Sequence, residues 1–145
     1  MASVSIYLNF QGNTEEAFNF YKETFKTEFA APLVRYKDVP PHEGMPPIPE
    51  AELNMIMHAC LPIMGGFQIM GTDMLESMGH KVKTGNNTTI NLEPDTRAET
   101  ERLFTILSAG GSESSPLKDM FWGAYWGCCL DKYGIRWMFN FSEKA

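Results

Sequence analysis

Phe121-Trp122-Gly123-Ala124-Tyr125-Trp126-Gly127, followed by Asp131-Lys132-Tyr133-Gly134-Ile135-Arg136-Trp137-Met138-Phe139-Asn140-Phe141, is the stretch that decides how this chain folds. Two β segments meet there through a turn whose residues are chemically specified. Asp131 can accept hydrogen bonds from backbone amides ahead of it, and Gly134 can take the positive φ that closes such a turn. Past the turn the side chains alternate. Ile135, Trp137, Phe139 and Phe141 share one face of a predicted strand and Arg136, Met138 and Asn140 the other, because successive strand residues point to opposite faces. The first face is core material. The second mixes a charge, a thioether and an amide, which suits the wall of a small cavity.

Working outward, a strand followed by a helix occurs twice. Residues 3–10 alternate Val4, Ile6, Leu8 and Phe10 against Ser5, Tyr7 and Asn9, the pattern of a strand buried on one face. Asn13 stands three residues before Glu16 in a capping-box arrangement, and Ala17, Phe20, Tyr21 and Thr24 form a helical stripe, so a helix is predicted over 14–25. In the second half, residues 88–92 alternate, Thr96 stands three residues before Glu99, and Leu103, Ile106 and Leu107 form a stripe that ends at Gly110-Gly111. Each pair is followed by chain for three more strands. These are expected at 28–36, 53–61 and 66–70 in the first half, and at 113–117, 125–130 and 135–141 in the second. Between them, Pro40, Pro41, Pro46, Pro47, Pro49 and Gly44 make residues 37–49 a loop or lid, and residues 72–83 read as a polar connector. The fold class is therefore α+β, with two βαβββ modules at about 3–72 and 85–142 making up a single domain over 1–145.

Composition narrows the function. The chain has 145 residues, enough to bury roughly two thirds of its unfolded surface. Its formal charge of −6, with 12 Lys and Arg scattered along the sequence, argues against nucleic acid or an anionic membrane as partner. No apolar run approaches the ~20 residues of a membrane span, and the start lacks a charged region followed by an apolar one, so a cytoplasmic protein is expected. Cys60, Cys128 and Cys129 are odd in number and two are adjacent, which is not a disulfide framework; buried reduced thiols are expected instead. The 10 methionines suit irregular cores and adaptable binding surfaces alike.

Tyr7-Leu8-Asn9-Phe10 with Gly12-Asn13-Thr14-Glu15-Glu16-Ala17 and Phe20-Tyr21, Met57-His58-Ala59, Phe121-Trp122-Gly123 and Asp131 to Trp137 resemble the PhnB-like proteins. These belong to the vicinal oxygen chelate superfamily, together with glyoxalase I, fosfomycin and bleomycin resistance proteins and extradiol dioxygenases. PhnB-like sequences often carry an older domain label, 3-demethylubiquinone 3-methyltransferase. The resemblance covers nearly the whole chain. It implies the glyoxalase/bleomycin resistance/dioxygenase-like fold, with curved mixed sheets around a cavity, helices outside, and commonly a homodimer. It also implies that the polar strand faces turn inward. The cavity residues are then Tyr7, Asn9, Cys60, Thr89, Asn91, Met138 and Asn140, with His58 and Arg136 as the candidate catalytic pair and Trp122, Tyr125 and Trp126 near the mouth. The positions nearest the metal ligands of metal-using relatives are Tyr7, His58, Thr89 and Met138.

Only His58 among those four is an ordinary ligand for a divalent cation, so no metal site and no cofactor are expected. An imidazole exchanges protons near neutrality and could serve as a base, or be a hydrogen-bonded core residue. Arg136 could cradle a carboxylate or phosphonate, or pair structurally with an acid such as Asp131. His42 and His80 lie in loops without spacing partners, and no glycine-rich loop of a phosphate or methyl-donor site appears. Three functions are compatible with these residues. One is a metal-free protein that binds an unidentified small molecule. Another is an enzyme of the lyase, isomerase or resistance-transferase kind, using a divalent metal or His58 and Arg136. The third is a structural or interaction protein whose cavity is filled by its own side chains.

Overall fold

The turn at Asp131 forms as its residues dictate. In a computed structural model of the chain, which describes residues 1–40 and 43–143, the Asp131 carboxylate accepts the amides of Tyr133 (2.8 Å) and Ile135 (3.0 Å) and the indole N–H of Trp137 (2.8 Å). Gly134 takes a φ of 89°. The turn joins β7 (Tyr125–Leu130) to β8 (Arg136–Phe141). These belong to the second of two compact units, Thr84–Ala145, which also contains β5 (Ile90–Leu92), α2 (Arg97–Ser108) and β6 (Ser112–Asp119). The first unit, Met1–Lys83, contains β1 (Ile6–Phe10), α1 (Thr14–Phe25), β2 (Val34–Arg35), β3 (Ile56–Pro62) and β4 (Gln68–Asp73).

Both units have the same topology. The sheet orders are β1-β4-β3-β2 and β5-β8-β7-β6; β1 is parallel to β4 and β5 to β8, and the remaining neighbours are antiparallel. Each unit is one βαβββ module with a mixed four-stranded sheet, the α+β architecture expected from the repeated strand and helix.

One face of each sheet packs on its helix. In the first unit Leu8, Phe10, Ala59, Leu61 and Ile69 are buried with Ala17, Phe18 and Tyr21 of α1. Contact is close at Gly71, where a Cβ would stand 2.5 Å from the Phe18 ring, so only glycine fits. In the second unit Leu92, Cys129, Trp137 and Phe139 are buried with Leu103 and Leu107 of α2, and Phe104 meets Phe139 edge to face at 5.4 Å between centroids.

Several boundaries differ from the sequence reading for identifiable reasons. The Asn13 side chain makes no capping bond to α1. The buried carboxylate of Asp73, the last residue of β4, takes that place: Oδ1 accepts Gly12 N–H (3.0 Å), Thr14 N–H (3.0 Å) and the Thr14 hydroxyl (2.6 Å), and Oδ2 accepts Ile56 N–H (2.8 Å). Residues 72 and 73 are thus strand rather than connector. Thr96 does cap α2, accepting the amide of Glu99 at 3.1 Å. β2 shrinks to two residues at a sheet edge, because Pro32 has no N–H to donate and the pairing slips between Val34 and Arg35. β5 starts at Ile90, which leaves Thr89 ahead of it. β6 is longer than expected and irregular, with Pro116 in this edge strand and a φ of 50° at Glu113. Of the proline-rich segment, Pro41 and His42 lie outside the described residues.

Asp73 is 1% exposed and holds four donors from three segments. Asp73→Ala is expected to lower the unfolding free energy in urea by about 3 kcal/mol or more, since it strands buried amides. Asn13→Ala is expected to change it by less than about 0.5 kcal/mol, because no capping bond is lost.

Candidate functional site

The face of the first sheet turned away from α1 carries the polar residues singled out from the sequence. Strand register places Tyr7, Met70 and Cys60 in one row across β1, β4 and β3, with Asn9 beside Thr72 in the next. Tyr7, 46% exposed, reaches over the sheet so that its hydroxyl stands 3.0 Å from Nδ1 of His58, the two rings tilted by 38°. Burial, and secondarily repulsion from Tyr36, hold the Tyr7 phenol above its ordinary value, so the hydroxyl keeps its proton. It donates when Nδ1 is unprotonated and accepts when Nδ1 carries a proton. Tyr36 is itself anchored, its hydroxyl donating to the Asp73 carbonyl at 2.7 Å. The Cys60 thiol donates to Gln68 Oε1 at 3.2 Å. Arg35 offers no cation to this face: its guanidinium grips both oxygens of Glu15 (3.0 and 2.8 Å) and the Asn54 carbonyl (2.8 Å), which holds the Glu15 carboxyl below its usual range.

In the second unit, Asn91, Met138 and Cys128 form the equivalent row across β5, β8 and β7, with Trp126 opposite Asn140 and Leu130 opposite Arg136. Arg136 is not free for a ligand. Its Nε donates to the Gly85 carbonyl (2.9 Å) and its Nη2 to both oxygens of Glu113 (3.0 Å each), leaving the side chain 17% exposed. The structural partner is Glu113 rather than Asp131, whose oxygens are taken by its own turn. Thr89 lies before β5 and is exposed, so it does not share the row of Asn91 and Met138.

Tyr125 lies on the other side of the sheet. Its register with Phe141 puts it on the helix face, where its hydroxyl donates to Glu101 (3.1 Å) and Arg97 stacks 3.7 Å above its ring. Trp126 is the aromatic residue that shares a face with Asn140. Trp122 is exposed in the β6–β7 turn, packed edge-on against Phe121 with centroids 5.0 Å apart. Asn140 lines a cleft of about 490 Å³ with Glu93, Pro94, Asp95, Phe141, Ser142 and Glu143. In the first unit a cleft of about 240 Å³ is lined by Gln11, Glu52, Met55, Met74 and Glu76. The sequence offered no pointer to that second cleft, because its residues come from loops and strand ends with no common period.

The donors at the four positions singled out from the sequence do not suit a hard divalent ion. In the first unit His58 is accompanied by a phenol, and the second unit supplies a threonine outside its strand and a thioether. Among the described residues no group of three or more His, Cys, Asp or Glu side chains could hold a metal ion. No helix among them is long and apolar enough to cross a membrane.

Paired βαβββ modules, each a mixed sheet with its helix on one face, define the glyoxalase/bleomycin resistance/dioxygenase class of fold. Residues 2–139 match the family described as 3-demethylubiquinone-9 3-methyltransferase, and the chain belongs to that family. The crystal structure of protein PA1353 from Pseudomonas aeruginosa is similar at 32% identity and a TM-score of 0.83, covering 99% of this chain and 100% of that one. A putative 3-demethylubiquinone-9 3-methyltransferase, PhnB protein, from Bacillus cereus is similar at 24% identity and a TM-score of 0.76, covering 97% and 100%. A glyoxylase/bleomycin resistance protein/dioxygenase domain from Frankia sp. EAN1pec shares the fold at 12% identity and a TM-score of 0.63, with 99% of each chain covered. The family description does not carry methyl transfer over to these residues. The loops that enter the two helices, Gln11-Gly12-Asn13 and Glu93-Pro94-Asp95-Thr96, are not glycine-rich methyl-donor loops.

The three thiols sit in unlike surroundings. Cys129, 2% exposed on the helix face, is pushed from 9.0 up to about 12 by burial first and by Asp131 and Cys128 second, whereas Cys60 and Cys128 are half-buried on the open faces. An aromatic disulfide reagent at neutral pH is expected to titrate Cys60 and Cys128 and to reach Cys129 only on unfolding. Because the folded value is raised, the stabilisation from Cys129 is complete below pH 9.0 and is lost as pH rises towards about 12. Alkaline urea titrations of wild type and Cys129→Ala should therefore converge over that window.

Proposed function

We propose that this protein binds a small, uncharged organic molecule on the open sheet face of its first unit, with Tyr7 and His58 as the polar contacts and no metal ion required. The observation that carries this reading is the Tyr7–His58 hydrogen bond on an exposed sheet face: a phenol nearly half open to solvent orients an imidazole whose Nε2 has no protein partner among the described residues. Asn9 and Cys60 on the same face supply further neutral contacts. An uncharged ligand is favoured over an anion because all four arginines are already ion-paired, Arg35 with Glu15, Arg97 with Asp119, Arg102 with Glu99 and Arg136 with Glu113.

The catalytic alternative uses the same pair. With Arg136 committed to Glu113, an enzyme built on this face has His58 as base and the Tyr7 hydroxyl to steady it, without the guanidinium first considered for an oxyanion. A cytoplasmic homodimer completes the proposal. The sheets end in open edges at β1, β2, β5 and β6, and pairing across a two-fold axis is an economical way to protect such edges.

Titration of ¹⁵N-labelled protein with a panel of neutral planar amides, phenols and lactones, in the presence of a chelator, is expected to give saturable shifts at Tyr7 and His58. Tyr7→Phe should weaken the best ligand by about tenfold, the worth of one hydrogen bond. Binding that is abolished by the chelator, or that is unchanged in both Tyr7→Phe and His58→Ala, overturns the reading. Consumption of the ligand that ceases in His58→Ala moves the protein to the enzymes. Light scattering at micromolar concentration should report twice the chain mass of 16.4 kDa, and a monomer sinks the dimer.

A further inference from the structure

A thiol stands beside a thioether at the same place in both sheets. In the first unit Cys60 on β3 is the ladder partner of Met70 on β4, which is in turn the partner of Tyr7 on β1. In the second, Cys128 on β7 is the partner of Met138 on β8, which pairs with Asn91 on β5. As β3 and β4 are the last two strands of the first βαβββ module, so β7 and β8 are of the second, and the two pairs occupy equivalent positions. Both lie on the face opposite the helix. Their sequence neighbours Ala59 and Leu61, and Cys129 with Trp137 and Phe139, are the buried ones, whereas Cys60, Met70, Cys128 and Met138 are all half-buried.

Directly opposed residues on antiparallel strands hold their Cβ atoms about 4.5–5.5 Å apart, which lets a cysteine sulfur and the longer methionine arm close on one ion. Thiolate and thioether are soft donors that suit a monovalent soft cation and not a hard divalent one, so this site is compatible with the poor divalent set described above. Before an ion binds, the two sulfurs of the first unit have other neighbours: Met70 Sδ receives the Ser5 hydroxyl at 3.9 Å and the Cys60 thiol donates to Gln68 Oε1 at 3.2 Å.

We propose that each of these Cys–Met pairs binds one soft monovalent cation, Cu(I) or Ag(I), through the cysteine thiolate and the methionine thioether, giving two equivalent sites per chain. In each site the S–H bond breaks, a sulfur–metal bond forms and one proton leaves to solvent; the metal keeps its oxidation state. In the first unit Gln68 loses the thiol proton that it accepts in the metal-free protein. Cys129 is the built-in control, since it is adjacent in sequence but enclosed on the helix face, 2% exposed.

The test is an anaerobic titration of the full chain with silver nitrate in chloride-free buffer, read from ¹³C-methyl-labelled methionines. Of the ten methionine methyl signals, those of Met70 and Met138 should move and saturate at two Ag(I) per chain. Cys60→Ser should abolish the Met70 response and spare that of Met138, Cys128→Ser should do the reverse, and Cys129→Ala should spare both. In competition with a bathocuproine chelator, Met70→Leu and Met138→Leu should each weaken one Cu(I) by at least about tenfold. Silver held by thiols with both methyl signals unmoved, a response confined to one unit, or leucine variants that compete like wild type would overturn the proposal. Cys128→Ser and Met138→Leu, in the second unit, leave Tyr7, His58 and Cys60 untouched, so the failure of this inference is separable from failure of the ligand reading.

Discussion

The Asp73 carboxylate is the constraint on which the first unit depends. Burying a charge costs several kcal/mol unless its acceptor sites are filled, and here four donors fill them, from the loop before α1, the first residue of α1 and the first residue of β3. The same residue ends β4, so one side chain ties two strands, the loop after β1 and a helix start to a common point. Its carbonyl also receives the Tyr36 hydroxyl, which stands near enough to Tyr7 to raise the latter's titration. The placement of β1 and β3 on either side of β4, across which Tyr7 and His58 meet, is braced at that hub.

The second unit reaches the same topology by a different device. Asp131 is a local organiser: its three donors all lie within six residues ahead of it, and the Trp137 indole carries its influence into the core. With the turn consuming Asp131, the cation on β8 finds its counter-charge on the neighbouring edge strand, at Glu113. Pairing of this kind, repeated at every arginine, leaves the open sheet faces to uncharged hydrogen-bonding groups and sulfur.

What could be read in advance tracks the distance between interacting groups along the chain. The helix over 14–25 and the strand over 125–130 match the sequence reading to the residue, because periodicity and turn chemistry are local properties. Side-chain parity placed Asn91, Met138 and Asn140 on one sheet face correctly, and it could have excluded Tyr125, which alternates onto the face of Phe139. The Asn13 cap failed for the opposite reason: the winning acceptor is 61 residues from Gly12, beyond the reach of any local pattern.

The sequence by itself determined the two βαβββ modules, the apolar faces of β1 and β8 and the Asp131 turn, since apolar periodicity and glycine-dependent backbone angles act over a few residues. Only the tertiary structure decided which polar groups remain available. Arg136 looked like a ligand cradle until β6 brought Glu113 to it, His58 gained a hydrogen-bond partner only when Tyr7 reached across the sheet, and the two Cys–Met pairs exist only once strand register is set. Hydrogen bonds and ion pairs are contested among all groups that folding brings together, and the winners are fixed by geometry between distant segments.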